Sequence, residues 1–465
     1  MSTAILPAIS PPPDSRPVSD VLSLFQRLLP ASFVQRLQRE AGIRRNNRVY
    51  TPLVVLWLLI VQRLHGAVSM ETAVLELLRG LPDSFWPRPC KRLQDRRHGK
   101  PLSSYSGAYN QARQALPLSV VQQSCDRIFE QLTAQLSGTV PVVGVRVFFF
   151  DGTTVRLAHS ATLCASYPPG SNQHGEAHWP LLRMLVAHDL HTGLGMRPEW
   201  GPMHGEQAVS EQGLLEVAIH RLPDGSIVAG DANFGVFSVA FAALQHGHPV
   251  LLRMSLPRAQ RLAGGPVHNG IDRAVVWRPS REDRKSHPGL PADACVSGRL
   301  IVREVQPDDG AVSFLLALFT TLQTDQGEVL KLYGLRWNVE TDLRTLKNTL
   351  QLEQLSCTTP EMVAKEINVA LAAYNLVRAV TCLASERSGI PPRGYSFTRV
   401  RRIVGIFTPL VVNATSQQKA QKHFDLMMYY VGQAKLPKRT RKRPAYPRVV
   451  WGRGAKFPNR KAVLP

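Results

Sequence analysis

The stretch Tyr333-Gly334-Leu335-Arg336-Trp337-Asn338-Val339-Glu340-Thr341-Asp342-Leu343-Arg344-Thr345-Leu346-Lys347 decides how this chain is read. Tyr333, Arg336, Glu340, Arg344 and Lys347 follow one another at steps of three, four, four and three, which on an α-helix draws a single stripe. Leu332, Leu335, Val339, Leu343, Leu346 and Leu350 draw a second, wholly apolar stripe beside it. The expectation is one helix held to a core by leucines, with a single carboxylate displayed among Arg, Lys and Tyr. A solvated face of mixed charge is the simpler account of any one of these residues; five in register, with Trp337 among them, fit it poorly. A carboxylate surrounded by cations suits a divalent metal bound beside a polyanion, where metal, base and phosphate must lie within a few ångströms.

Two further acids stand where such a site needs them. Val145-Arg146-Val147-Phe148-Phe149-Phe150 reads as a buried strand running into Asp151-Gly152-Thr153-Thr154, with Asp151 at its end. Ile227-Val228-Ala229-Gly230 is a second short strand ending at Asp231, followed by Ala232-Asn233-Phe234-Gly235. Taken singly, an Asp-Gly after a strand is as well explained by a hairpin turn. Three carboxylates, each at a strand end or on a polar helix face, make a shared site the better account.

Tyr-x2-Arg-x3-Glu-x6-Lys, filled by Tyr333, Arg336, Glu340 and Lys347, resembles the signature around the last acid of bacterial insertion-sequence transposases of the insertion-element-four type. These belong to the DDE class, named for its Asp, Asp and Glu. Asp151-Gly-Thr-Thr resembles the first motif of that family, and Gly230-Asp231-x-x-Phe234 the second. One position departs: the family usually has Arg directly after the second Asp, and here Ala232 and Asn233 follow. The resemblance covers about residues 20 to 400.

It implies Asp151, Asp231 and Glu340 as catalytic residues and ligands of two Mg²⁺ ions, with Mn²⁺ able to substitute, since hard oxygen donors suit these ions. Tyr333, Arg336, Arg344 and Lys347 would contact DNA. Trp277 would stack on a flipped base, with a buried core tryptophan as its alternative. The implied fold is an α/β ribonuclease-H-like catalytic core with a β-rich insertion and an N-terminal helical DNA-binding domain; the pattern of strands and helices alone says only α/β. The implied reaction is cut-and-paste transposition: cleavage at terminal inverted repeats, then joining of the 3′ ends to target DNA by transesterification. Its partners would be double-stranded DNA and a second copy in a synaptic homodimer. A structure-specific nuclease of the same fold and a non-catalytic DNA-binding derivative stay open. One ester replaces another, so no nucleotide cofactor is needed, and no Gly-rich loop ending in Gly-Lys-Ser/Thr is present.

Composition agrees with a DNA partner. The formal charge is +22 over 465 residues, a field that attracts nucleic acid through counterion release whatever its sequence. From Lys435 onward there are eleven Lys or Arg and no acid, broken by Pro437, Pro444, Pro447 and Pro458. That tail is expected to be a flexible phosphate clamp, with Tyr446 and Trp451 able to stack on bases. No secretory leader is legible, and the apolar run Leu53–Val61 is nine residues, short for a bilayer. No membrane association and a cytoplasmic, nucleoid-associated place are expected. Six scattered cysteines without a Cys-x-x-Cys pair fit a reducing compartment. His174 with His178, and His188 with His191, have spacings that zinc could use, but no cysteine completes a site and surface histidines are expected.

The chain divides by composition. Residues 1–17 are Pro- and Ser-rich and expected to be disordered; 18–138 read as helices, where Arg92, Arg96, Arg97, Lys100 and Arg113 stand near a candidate DNA-reading helix pair. Strands then dominate a core of 139–252 and 312–400, with a helix expected over Gly205–Leu222. Residues 253–311 form the β-rich insertion, with strands at Arg273–Trp277 and Arg299–Arg303, and 401–465 a basic C-terminal region with its tail. Thr359-Pro360-Glu361 should start a long helix that stops near Gly389.

Overall fold

Phe148, Phe149 and Phe150 lie in strand β1 (Val147–Arg156), each no more than 1% exposed. Burying rings of this size is worth roughly 1.5–3 kcal/mol apiece, which draws β1 to the middle of the sheet. This computed structural model describes residues 21–42, 48–66, 68–86, 88–97, 101–136, 138, 140–173, 175–306 and 312–437. The readings made for residues 1–17, for Lys100, for His174 and for the basic tail from Lys438 lie outside the described residues.

The other strands are β2 (Pro169–Asn172), β3 (Gly175–Asp189), β4 (Glu199–Pro202), β5 (Ile227–Gly230), β6 (Val250–Met254), β7 (Ile271–Trp277), β8 (Val296–Val305) and β9 (Phe314–Thr320). They build one nine-stranded sheet in the order β2-β3-β1-β5-β6-β9-β8-β7, with β4 beside β3. β1 pairs in parallel with β5, and β5 with β6; the flanking pairs are antiparallel. The α/β class expected from the sequence is therefore present, as a mixed sheet with helices around it. The strands expected at 273–277 and 299–303 fall inside β7 and β8. The insertion also holds two helices, Leu256–Ala263 and Arg281–Ser286, so it is less purely β than its Gly- and Pro-broken sequence suggested.

Alternation along the strands sorts their side chains. Val147 and Phe149 of β1, Ile227 and Ala229 of β5, Leu251 of β6 and Leu318 of β9 gather in one cluster with Val329, Leu332, Tyr333 and Val339. Phe148, Phe150, Val228, Val250 and Leu252 belong instead to the larger core. The start of the signature segment, through Val339, thus covers one face of the sheet, while Leu343, Leu346 and Leu350 of the same stripe join the larger core.

That segment is not one helix. Helix Gln326–Gly334 ends, Leu335 and Arg336 form a turn, and helix Trp337–Arg344 follows before a π-helical turn at Thr345–Thr349. Leu335 is exposed in consequence, while Leu332, Val339, Leu343, Leu346 and Leu350 are buried as expected. The helix expected from Gly205 begins only at Glu211 and runs to Ala218, with Ser210 as its cap.

Helix Pro360–Ser388 begins under a Thr359 cap and ends at left-handed Gly389, as read from sequence. It is long and apolar enough to cross a membrane, but 94% of that window is buried inside the protein. Helices Pro52–Leu64 and Leu118–Gln135 pack on it and share its core. Glu366 ties the two regions: it accepts from Arg63 Nε at 3.0 Å and from Arg113 Nη2 at 2.6 Å. Arg113 is therefore turned into the protein, not toward DNA; Arg92 is exposed on helix Lys91–Arg97. His188 is fully buried, which corrects its reading as a surface histidine.

Candidate active site

The last parallel rung between β1 and β5 pairs Phe150 with Gly230. One residue beyond it on each strand is an aspartate, so register alone sets Asp151 beside Asp231. Both are odd-numbered continuations of Val147–Phe149 and Ile227–Ala229, and alternation aims them at the face covered by helix Trp337–Arg344. β5 stops here because Asp231 opens a turn: Asn233 N donates to Asp231 Oδ1 at 2.9 Å, and Phe234 folds inward, 1% exposed. β1 does not stop. Asp151 pairs with Val186 of β3 in mid-strand, correcting its expected place at a strand end.

Burial pushes the Asp151 carboxyl up to about 7, with the charges of Asp231 and Glu340 adding to it and the Gly152 N–H and Arg336 opposing. Asp231 and Glu340 therefore both lie within electrostatic reach of Asp151. Glu340 accepts from Arg336 Nη1 at 2.6 Å, one turn earlier, and the Arg336 guanidinium also stands 5.0 Å over the Trp337 ring. Trp337 itself is 61% exposed. Among the described residues no group of three or more His, Cys, Asp or Glu is drawn tightly enough to hold a metal ion. Glu340 is spoken for by Arg336 in this arrangement.

The remaining residues singled out from sequence are more scattered. Tyr333 is buried, its ring 5.9 Å from Phe149, and burial pushes its hydroxyl up to about 12. It belongs to the sheet-covering core instead of an open polar stripe, because the break after Gly334 turns it inward. Lys347, in the π-turn, pairs with Glu353 at 2.7 Å. Arg344 is exposed. Trp277, at the end of β7, meets Phe237 and Phe319 edge-on and lines a cleft of about 530 Å³ with Phe237, Arg258, Arg261, Arg278 and Asp283. Both readings of Trp277, core packing and an open aromatic face, describe part of its surroundings.

Three neighbours were not found by sequence reasoning. Asp342, two residues past Glu340 and so on the opposite side of the helix, is fully buried against Arg378 and Arg393, the latter at 2.6 Å. Burial opposes its ionisation, but the two guanidiniums prevail and hold its pKa below the ordinary value. Arg258 donates to the Ala232 carbonyl at 3.1 Å, so a cation from the insertion holds the loop where the family's usual Arg is missing. Glu211 hydrogen-bonds Asn233. A helix start at Ser210 was the available signal for Glu211, and the expected start at Gly205 concealed it.

Acids one residue beyond the last rung of two neighbouring parallel strands, with a carboxylate and an arginine on the covering helix, fit a class of protein that works on phosphodiesters. The Transposase DDE domain family matches residues 144–376, about half of the chain, and the chain belongs to that family of DNA-cleaving and strand-transferring enzymes. It is 28% identical over 363 residues to the transposase InsG for insertion sequence element IS4 of Escherichia coli strain K12, covering 75% of this chain and 77% of that protein.

Proposed function

We propose that this enzyme is a cut-and-paste transposase that cleaves the terminal inverted repeats of its own insertion sequence and joins the freed 3′ ends to target DNA. The observation that carries the reading is the Phe150–Gly230 rung, which sets Asp151 and Asp231 side by side within the electrostatic reach of Glu340. Asp151, Asp231 and Glu340 are the catalytic set, on a core of ribonuclease-H-like type. The parallel β1-β5-β6 centre flanked by antiparallel β3 supports that fold reading.

The donor chemistry suits a hard divalent ion such as Mg²⁺, since all three side chains offer only carboxylate oxygens. Burial raises Asp151 most, and the part added by the charges of Asp231 and Glu340 is what a cation would relieve once it drew the acids together and Glu340 left Arg336. Held by Asp151, Asp231 and Glu340, divalent ions would supply Lewis acidity for displacement at phosphorus. The chain's own part is to hold and orient. Arg336, once released by Glu340, is placed to grip a phosphate of the cleaved end, and its planar fork suits that better than a lysine would. Arg344 and Lys347 extend the same cationic side. Tyr333 supports the helix from below. Trp277 and the arginines of its cleft offer a base-stacking platform on the insertion, toward the β7 edge of the sheet.

The division into helical end-binding residues 18–138, core 139–252 and 312–400, insertion 253–311 and basic region 401–465 belongs to the same reading. So does a synaptic homodimer, supported by Ile406, Leu410, Leu426 and Tyr429 standing exposed on helices Phe397–Val412 and Gln417–Gly432. A cytoplasmic place, beside the nucleoid, follows from the substrate.

The test uses DNA flanking the gene, where inverted repeats should lie. Wild type and Glu340→Gln are incubated with it, Mg²⁺ and a supercoiled target plasmid. End cleavage and joining by the wild type, lost in the variant, is the expected result. Binding without cleavage by both proteins would leave a DNA-binding derivative; cleavage without joining would leave a nuclease.

A further inference from the structure

Glu211 opens helix Glu211–Ala218, behind the Ser210 cap. Its carboxylate lies directly on the backbone of Gly152: a Cβ built there would stand 2.1 Å from Glu211 Oε1 and 2.8 Å from Oε2. On its other side, Asn233 Nδ2 donates to Glu211 Oε2 at 2.5 Å. The neighbouring Gln212 Nε2 donates to both the Oδ1 and the carbonyl of Asn233, each at 2.8 Å. Gly152 N in turn donates to Asp151 Oδ1, and Asn233 N to Asp231 Oδ1, each at 2.9 Å. Glu211 thus spans from the residue after Asp151, on which it packs, to the second residue after Asp231, to which it is hydrogen-bonded.

The sheet leaves a need for such a bridge. Pairing between β1 and β5 ends at Phe150–Gly230, so no backbone rung fixes the separation of the two aspartates that follow. An amide-to-carboxylate bond is short and charge-assisted, stronger than a neutral one. Only glycine at 152 lets the carboxylate come so close to β1.

We infer that Glu211 is a positioning residue that replaces the missing rung, fixing Asp151 against Asp231 and so setting the affinity of the site for a divalent cation. This rests on the metal-site reading above. Residues that orient metal ligands typically cost about tenfold or more in metal affinity when removed.

The test is Mg²⁺ titration of the full-length protein without DNA, followed by thermal unfolding, because an ion that binds only the folded state raises Tm as it saturates. Wild type, Asp151→Asn, Glu211→Ala, Glu211→Gln and Asn233→Ala are compared. The wild type should respond and Asp151→Asn should not. Glu211→Ala and Asn233→Ala should each need about tenfold more Mg²⁺ for half of the Tm rise. Glu211→Gln keeps an oxygen that accepts from Asn233 but loses the charge assistance, and should fall between wild type and Glu211→Ala. If Glu211→Ala responds like wild type while Asp151→Asn does not, the role of Glu211 fails and the metal site stands. A Glu211→Gln as weak as Glu211→Ala also overturns it, since charge and not bridging would then matter. A wild type that ignores Mg²⁺ sinks the metal-site reading and this inference together. Should Glu211→Ala fold poorly, Asn233→Ala carries the comparison.

Discussion

His188 stands fully buried opposite Phe149, its ring 5.7 Å from that of Tyr374, and neither ring nitrogen finds a hydrogen-bond partner among the described residues. Burial holds its pKa down to about 4; Asp342 pulls it up, while Arg393 and Arg378 push it down. An unfolded histidine titrates near 6.5, so as pH falls the unfolded chain takes the proton first. The stability tied to neutral His188 is whole above about pH 6.5 and is lost progressively toward pH 4, at up to about 1.4 kcal/mol per pH unit. His188→Leu should therefore flatten the acid limb of a Tm-against-pH curve between those values; parallel curves for the two proteins would refute the assignment. Legibility at this scale follows the same logic of context. Asp151, Asp231 and Glu340 could be picked out because each lies in a local motif. The burial of His188 and Tyr333 could not, because it depends on which elements close over them. Glu211 was hidden for a related reason, since its contacts are with residues 59 and 22 positions away and exist only once the strands are in register.

Within the elements, the leucine period located the segment that covers the sheet but missed its break. Leu335 and Arg336 keep near-helical dihedrals, φ −72°, ψ −3° and φ −49°, ψ −38°, but the hydrogen bonds there tighten to the third residue back, which shifts the side-chain phase without a sharp corner. A period count is blind to such a turn. The segment's far end is held from outside: Arg63 Nη1 donates to the Leu350 carbonyl at 3.0 Å and to that of Gln351 at 3.3 Å, where Gln351 has φ +55°. Because Glu366 pairs with both Arg63 and Arg113 in the interior, Glu366→Ala leaves two buried guanidiniums without their carboxylate, Arg63 keeping only its carbonyl partners. We expect a loss of about 3–5 kcal/mol in urea unfolding, together with faster amide exchange over residues 345–351. Gly235 is a second fixed point, since a Cβ there would stand 2.0 Å from the Arg253 carbonyl. Gly235→Ala should lower Tm and, by shifting the turn after Asp231, weaken the Mg²⁺ response; an unchanged Tm would show that the loop has room to move.

For the whole molecule, the charge of +22 was legible at once, and so was its consequence for DNA. Removing the chain after Leu436 takes away ten Lys or Arg and no acid. Plots of log K against log salt for duplex binding should become shallower by roughly 0.9 for each phosphate that the tail neutralises; an unchanged slope would mean that the tail touches no phosphate. The sheet order was less legible, because nothing in a string of short strands says that β9 returns to the edge of β6. That return matters. β8 pairs with β9 from Arg299–Thr320 to Val305–Phe314, β9 pairs with β6, and β6 lies beside the strand that ends at Asp231. The aromatic edge at Trp277 and the acids at the sheet's centre are consequently parts of one continuous hydrogen-bonded fabric. A load placed on the β7 edge would pass to the acids through four successive ladders of backbone hydrogen bonds and not across a linker.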